Sequence, residues 1–588
     1  MTAGTVNSGQ GAPRPVLSVR DLQVQVATTE GAKTVLDGLS FDLMPGETLC
    51  LAGESGSGKS MTALAIMGLL PEPMARIAGG TIRLGDMELT GLSEQGYRRV
   101  RSSRVAMIFQ EPMTSLNPLM TVQRQLVEVL LEHGVCTRTE APARALDLLR
   151  DVWLTEPERR LKQYPHELSG GMRQRVMIAI ALACGPDVLI ADEPTTALDV
   201  TVQAEILDLI RLLQQKHDTT VLLITHDMGV VAEMADRVIV MRHGRQVEAA
   251  PVAEMFMDPQ SDYARELLAA VPRLGAAPPR PERQLGDPVI SVRDLSVRFD
   301  IRGGILNRPV ARVHAVEGVS FGIRGGETLA LVGESGCGKS TIGKALLGLV
   351  PWQGSIEIAG RQTRGLARRQ LKPVLRDIQM VFQDPGASLD ARMTVRDQVA
   401  EPMIVHGIAH GPELDDRVEY LFRRVGLSPD MLDRYPHEFS GGQRQRVCVA
   451  RALSLSPRVI VADESVSALD VSVQAQVLDL LQELQAEDGL AYLFISHDMA
   501  VIEQVADRVM VMRLGQVVEE GARDAVLHDA RHPYTQRLLA AVPVPDPARR
   551  RPPRASEEVS LGTPIRSVGD PPPRLTLSEI GSGHRIAS

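Results

Sequence analysis

The sequence predicts an α/β protein built from two tandem copies of one domain, each a parallel-sheet core carrying a helical insertion. Three observations predict it. First, long passages occur twice. G-E-S-G-S-G-K-S at 53–60 returns as G-E-S-G-C-G-K-S at 333–340. Y-P-H-E-L-S-G-G-M-R-Q-R-V at 164–176 returns as Y-P-H-E-F-S-G-G-Q-R-Q-R-V at 435–447, and A-D-E-P-T-T-A-L-D-V at 191–200 as A-D-E-S-V-S-A-L-D-V at 462–471. Second, short apolar runs bounded by turns read as buried parallel strands. They are T-L-C-L-A-G, V-L-I-A-D and V-L-L-I-T in the first copy, and T-L-A-L-V-G, V-I-V-A-D and Y-L-F-I-S in the second. Third, the apolar period between 121 and 163 becomes helical, as in V-Q-R-Q-L-V-E-V-L-L.

The offset between copies is 280 at the first motif and 271 at the later two. Solenoid units run about 20–50 residues, so this is duplication of a whole domain. At about 150 residues per folding unit, 588 residues give roughly four, which two copies of two lobes match. Residues 273–288, rich in Pro, Gly and charge, read as a short exposed linker between domains at 16–272 and 289–543. Residues 544–588 hold R-R-R-P-P-R and D-P-P-P-R with few apolar residues. They read as a loosely ordered, solvated tail, with a weak docking segment or a contact to anionic lipid or RNA as alternatives.

A net charge of −9 is a poor fit to a general nucleic-acid coat, which needs a broad cationic surface. A hydrophobic fraction of 44% and a charged fraction of 23% exclude whole-chain disorder. Aromatics make up only 3%, so the cores must rest on aliphatic residues and Met. No apolar stretch suits a transmembrane helix, and the N-terminus lacks a secretory h-region. Five scattered cysteines without C-x-x-C spacing point to reduced thiols rather than a disulfide or zinc framework. Together these suggest an intracellular, soluble or peripheral protein.

The chemistry starts at the glycine loops. G-x-x-x-x-G-K-S after a strand and before a helix is a P-loop. Gly53, Ser55, Gly56 and Gly58, and Gly333, Ser335, Gly336 and Gly338, let backbone N–H groups close around phosphate oxygens. Lys59 and Lys339 should reach the β- and γ-phosphates, and Ser60 and Ser340 should ligate Mg²⁺. Asp192 and Asp463 end buried strands, where a carboxylate needs a cation or donors, and so read as the second metal oxygen. Glu193 and Glu464 beside them can polarise an attacking water; acids that merely cap the next turn are the alternative. His226 and His497 follow apolar strands and are placed to contact the γ-phosphate or the water. Gln110 and Gln383, after M-I-F and M-V-F, are placed to complete a Mg²⁺ and water shell. Ser169-Gly170-Gly171 and Ser440-Gly441-Gly442 lead into helices and form a second anion cradle per copy.

On these motifs, residues 16–543 resemble the ATP-binding subunits of ABC transporters; S-G-G with Q-R-Q-R is far more specific than the P-loop alone. Within that family the chain is most similar to the oligopeptide/dipeptide permease group, which includes nickel-chelate and glutathione importers. That likeness rests on Y-P-H-E, on F-Q-E-P-M-T-S-L-N-P and F-Q-D-P-G-A-S-L-D, and on H-P-Y-T-Q-R-L-L-A-A-V-P at 532–543. The resemblance implies two fused P-loop NTPase domains, each a parallel-sheet core with a helical signature subdomain. It implies an ATPase that uses ATP and Mg²⁺ in a head-to-tail pseudo-dimer. One site would join 53–60, Gln110, Asp192, Glu193 and His226 to 440–442. The other would join 333–340, Gln383, Asp463, Glu464 and His497 to 169–171. Asp199 and Asp470 would cross between the halves.

It also implies a peripheral protein on the cytoplasmic face of the plasma membrane. There it would energise two permease subunits, fed indirectly by an extracytoplasmic substrate-binding protein, with no nucleic acid involved. The segments 111–118 and 384–390 would receive the permease helices. They differ between copies, so two different permease subunits are expected. Import of di- or oligopeptides follows from the subgroup; a tandem ABC ATPase acting on ribosomes or DNA is the alternative. Three departures stand out. Phe299 occupies the place where relatives stack adenine, whereas the first copy has Val26. Ser465 replaces the usual Pro after Glu464. No Cys follows Cys448, so no iron–sulfur centre is expected.

Overall fold

The five-residue runs Thr48–Ala52, Val188–Asp192, Thr328–Val332 and Val459–Asp463 are buried along their whole length, as strands covered on both faces must be. In the computed structural model they form the middles of two sheets. The structure describes residues 14–28, 31–196, 198–278, 285–303, 307–466, 469–553, 562–581 and 583–587. The stretch 279–284 of the expected linker and 554–561 of the expected tail lie outside the described residues.

The chain divides into two compact units. Of the described residues, those within 14–198, 202–271 and 543–553 group in the first, and those within 199–201, 272–542 and 562–587 in the second. In the first unit the larger sheet runs Arg245–Pro251, Arg237–Arg242, Thr48–Ala52, Thr220–Thr225, Val188–Asp192 and Val105–Ile108. The last five are parallel, so their C-terminal ends meet at one edge. A smaller antiparallel sheet, centred on Leu17–Thr28 between Gly31–Leu43 and Ala75–Leu84, flanks it. The second unit repeats the parallel order with Ile378–Val381, Val459–Asp463, Ala491–Ile495, Thr328–Val332 and Arg508–Arg513.

The helical periodicity resolves into Val122–Glu132 and Ala141–Asp151 in the first unit, and Val395–His406 and Pro412–Arg424 in the second. Thr121 and Thr394 cap the leading helices by accepting from the backbone N–H of Arg124 and Asp397. Their apolar faces pack with the Gly170–Leu182 and Gly441–Leu453 helices in clusters that extend into the sheet cores.

The tail differs from the loosely ordered reading. Ile565–Ser567 adds to the smaller sheet of the second unit along Ala311–Val313. His584–Ala587 pairs with Gln516–Ala522 at the edge of the larger sheet, and Leu577–Gly581 pairs outside it. Its few apolar residues misled because strand addition is held by backbone ladders and polar anchors, not by a core of its own. The arginine cluster is not simply solvated either. In the first unit Arg551 pairs with Glu233, Nη2 to Oε2 at 2.7 Å, and Arg550 Nε donates to Ala232 O at 3.0 Å.

Candidate functional site

The parallel order places four loops at one sheet edge, the usual site for a ligand in such sheets. Each P-loop is shaped by glycines whose neighbours leave no room for a side chain. A methyl on Gly53 would meet Met241 O at 2.3 Å, and one on Gly333 would meet Met512 O at 2.2 Å. Gly58 (φ 101°) and Gly338 (φ 108°) open the helices Lys59–Met67 and Lys339–Leu346 in a left-handed conformation that favours glycine. Ser55, Gly56, Ser335 and Gly336 lie exposed at the loop tips.

Lys59 Nζ donates to Gly53 O at 2.7 Å and Glu54 O at 2.9 Å; Lys339 Nζ donates to Gly333 O at 2.7 Å and Glu334 O at 3.0 Å. Ser60 Oγ donates to Asp192 Oδ1 at 3.0 Å, and Ser340 Oγ to Asp463 Oδ1 at 2.8 Å. Burial pushes Asp192 up to about 6, aided by the neighbouring Glu193 charge and opposed by the Ser60 hydroxyl and Lys59. Asp463 is raised for the same leading reason. A hydroxyl and a buried carboxylate beside a glycine cradle form an oxygen donor set that fits Mg²⁺ with a phosphate.

Glu193 collects the remaining groups. It takes a left-handed conformation (φ 46°), and its N–H donates to Ile224 O at 2.8 Å on the neighbouring strand. Its carboxylate accepts from Gln110 Nε2 at 2.7 Å and Thr196 Oγ1 at 2.9 Å, and pairs with His226 Nδ1 at 3.0 Å. Burial alone would raise Glu193; the hydrogen bond and charge of His226 outweigh it and hold the carboxylate below its usual range. Burial likewise opposes charge on His226, but Glu193 raises it. The second unit repeats this. Gln383 Nε2 donates to Glu464 Oε2 at 2.6 Å, while His497 Nδ1 stands 3.7 Å from Glu464 Oε1. Glu464 is lowered and His497 raised, with burial again opposing. Gln110 and Gln383 thus rest on the glutamates rather than on the metal-side aspartates.

The signature serines cap their helices. Ser169 Oγ accepts from Met172 N at 3.4 Å, and Ser440 Oγ from Gln443 N at 3.3 Å. Gly170 and Gly441 are exposed. Gly171 and Gly442 let these helices sit against Val202 and Val473. Phe299 is 39% exposed and pairs in register with Val313; Val26 holds the matching place opposite Lys33.

Sequence reasoning missed two tyrosines. Tyr534 OH accepts the Glu334 backbone N–H of the second P-loop at 3.1 Å, and Tyr263 OH accepts that of Glu54 at 3.3 Å. The H-P-Y-T segment carried the only available signal, which gave Tyr534 no role. The cluster of His314, Glu317 and Arg298 beside Phe299 was also missed: His314 Nδ1 lies 2.9 Å from Glu317 Oε2, and Arg298 Nε donates to the same oxygen at 2.9 Å.

A family profile described as ABC transporter matches residues 36–196 and 316–467. A second, described as oligopeptide/dipeptide transporter, C-terminal region, matches 247–295 and 518–565. The chain is 51% identical to the glutathione import ATP-binding protein GsiA of Escherichia coli (strain K12), covering 97% of this chain and 96% of that protein. It is 50% identical to the GsiA protein of Salmonella paratyphi A, covering 98% and 97%. Among solved structures, the ATP-binding cassette MJ0796 bound to ADP and Pi aligns at 27% identity over 40% of this chain and 98% of that one, with a TM-score of 0.36.

Proposed function

Because this chain belongs to the family of ABC transporter ATP-binding proteins, we propose that it is the ATP-hydrolysing subunit of an importer for short peptides, glutathione among that class. One observation carries the reading. The same constellation of P-loop lysine, metal-side aspartate, glutamate and histidine is assembled twice, once at each parallel-sheet edge. A transporter C-terminal region following each copy favours transport over action on ribosomes or DNA.

The residues divide the work by their chemistry. Lys59 and Lys339 place a cation where glycine N–H groups open towards phosphate oxygens. Ser60 with Asp192, and Ser340 with Asp463, would hold Mg²⁺, which when bound neutralises phosphate charge. Glu193 and Glu464, kept ionised by their histidines, orient and deprotonate the attacking water. His226 and His497 carry positive character towards the same point. Ser169–Gly171 and Ser440–Gly442 offer a second set of N–H donors to phosphate. Phe299 stacks the adenine of the second copy, and Val26 gives the first copy only an aliphatic contact.

The partners in this reading are permease subunits at the cytoplasmic face of the membrane, with a substrate-binding protein acting through them. Two different permease subunits are favoured by the unlike docking segments. The turns at Pro112–Ser115 and Pro385–Ser388 carry different residues. Beyond them Leu119, 84% exposed, stands where the second copy has the cation Arg392.

The test is the pair Glu193→Gln and Glu464→Gln, which keeps side-chain size but removes the base. The double variant should bind ATP while turnover falls by about 10²–10⁴-fold, the usual range for losing a general base. Wild-type hydrolysis by the double variant would remove both glutamates from the mechanism.

A further inference from the structure

The two units differ at one sheet edge. In the first, the edge strand Arg245–Pro251 is largely exposed; its counterpart Gln516–Ala522 is buried over six of its seven residues. The C-terminal tail covers it. Gln516 Nε2 donates to Pro573 O at 3.0 Å, and Leu575 N donates back to Gln516 Oε1 at 2.9 Å. The first copy has Arg245 at this register position, and there it pairs with Asp37 at 2.6 Å. Gly521 stands where the first copy has Ala250. A methyl on Gly521 would lie 3.3 Å from the Cα and ring of His584. At this sheet edge the second copy therefore carries residues fitted to the distal tail, whereas the first copy meets the tail elsewhere, where Arg550 and Arg551 bond to Ala232 and Glu233.

The tail reaches the nucleotide loops by two routes. Ile565 pairs with Val313, the residue opposite Phe299, and His314 N donates to Pro564 O at 2.9 Å. Further on, His584 Nε2 lies 2.8 Å from Glu519 Oε1, with Glu519 wholly buried and His584 7% exposed. The same carboxylate accepts the N–H groups of Arg531 at 2.7 Å and His532 at 3.1 Å. Two residues later Tyr534 holds the P-loop N–H of Glu334. In the first copy Glu248 accepts the corresponding Gln260 and Ser261 N–H groups at 2.9 and 2.8 Å, and among the described residues no histidine bonds to it.

We infer that the distal tail strands Ile565–Ser567, Leu577–Gly581 and His584–Ala587 are a positioning element for the second nucleotide site, with His584 and Gln516 as its anchors. This rests on the assignment of 333–340 and Phe299 as that site. A buried carboxylate with three donors fixes the segment that carries Tyr534; without His584 one lone pair is left unmet, and the segment shifts to recover it. Adding Ile565–Ser567 to the hairpin stiffens the strand facing Phe299. Among the described residues the first site has neither support, so the two sites depend differently on the distal tail.

The experiment uses the full chain, photolabelled with 8-azido-ATP and cleaved so that each half is counted separately. His584→Ala and Gln516→Ala should each weaken labelling of the second half by roughly fivefold to tenfold, the scale of one lost buried hydrogen bond. The first half should keep its affinity, and His584→Gln, which retains a donor, should restore the second. An unchanged second half overturns the proposal. So does an equal fall in both halves, which would make the tail a general stability element. Lys339→Ala separates the two claims: second-half labelling that survives it overturns the site assignment, and the tail proposal with it.

Discussion

Replacing Gly442 by alanine measures how closely the Ser440–Gly442 segment, the proposed second anion cradle, is packed. Gly442 lies in the first turn of the helix Gly441–Leu453, and a methyl built there meets Val473 Cγ1 at 2.2 Å. At Gly171, the first-copy counterpart, the same methyl meets Val202 Cγ1 at 2.7 Å. Carbon pairs rest at about 3.5–4.0 Å, so the second valine must withdraw by more than an ångström. Val473 sits on the helix Val471–Asp488, where a β-branched residue has one strongly preferred rotamer, so the strain passes to the backbone. Against this stands a gain of about 1 kcal/mol for alanine over glycine in a helix. Overpacking costs about 1–3 kcal/mol. The deeper overlap decides the sign: Gly442→Ala should destabilise the second unit by about 1 kcal/mol, while Gly171→Ala should stay within about 0.5 kcal/mol of neutral.

The two tryptophans make this measurable unit by unit, because Trp153 belongs to the first unit and Trp352 to the second. In a Trp153→Phe background, urea unfolding followed by Trp352 fluorescence reports the second unit. Val473→Ala removes the obstructing methyl, so in that background Gly442→Ala should become stabilising by about 1 kcal/mol. Stabilisation by Gly442→Ala alone, or no reversal with Val473→Ala, would refute the packing argument.

Two further outcomes concern the nucleotide loops. Tyr534→Phe removes the acceptor of the Glu334 N–H and should weaken nucleotide binding at the second half by up to about tenfold, on the scale of one hydrogen bond. Tyr263→Phe acts on a longer bond and should weaken the first half less; equal losses by photolabelling would contradict this. Phe299→Ala should cost the second site about 1–3 kcal/mol of nucleotide affinity, the range for base stacking, with Val26→Ala nearly silent in the first. Equal titration curves for the two variants would remove Phe299 from the adenine contact.

The placement of much of the candidate site was legible because its signals are local. The P-loop, the paired acids and the histidines each sit at the end of a short apolar run, and each run became a strand with its end within a residue of the expected place. Parallel order then brings those ends together, which the periodicity already implied. What could not be read were contacts between distant segments. Tyr534 meets the Glu334 N–H across a separation of 200 residues, and His584 meets Glu519 across 65. Neither partner has a periodicity or spacing that marks it. The tail failed for a related reason: composition measures how much apolar surface a segment can bury, whereas this segment is held by ladders and buried polar pairs on an existing edge.

The copies therefore diverge in a particular way. The groups proposed to act on phosphate, metal and water are the same in both, down to the left-handed glutamate at φ 46° and 47°. What differs is the surrounding support. The first copy has the tighter glutamate–histidine pair, 3.0 Å against 3.7 Å. The second has the exposed aromatic, the buried sheet edge and the tail strands Ile565–Ser567 and His584–Ala587. The edge and tail contacts should move loop order and nucleotide affinity more than the chemical step, since they involve none of the proposed reacting groups. The two sites should therefore share a hydrolytic mechanism yet fill at different nucleotide concentrations, with the second tuned by a segment the first does not contact at its edge strand. In this proposal, duplication followed by divergence of the support would give one chain two ATP sites of like chemistry and unequal affinity, so that occupancy of one site precedes the other.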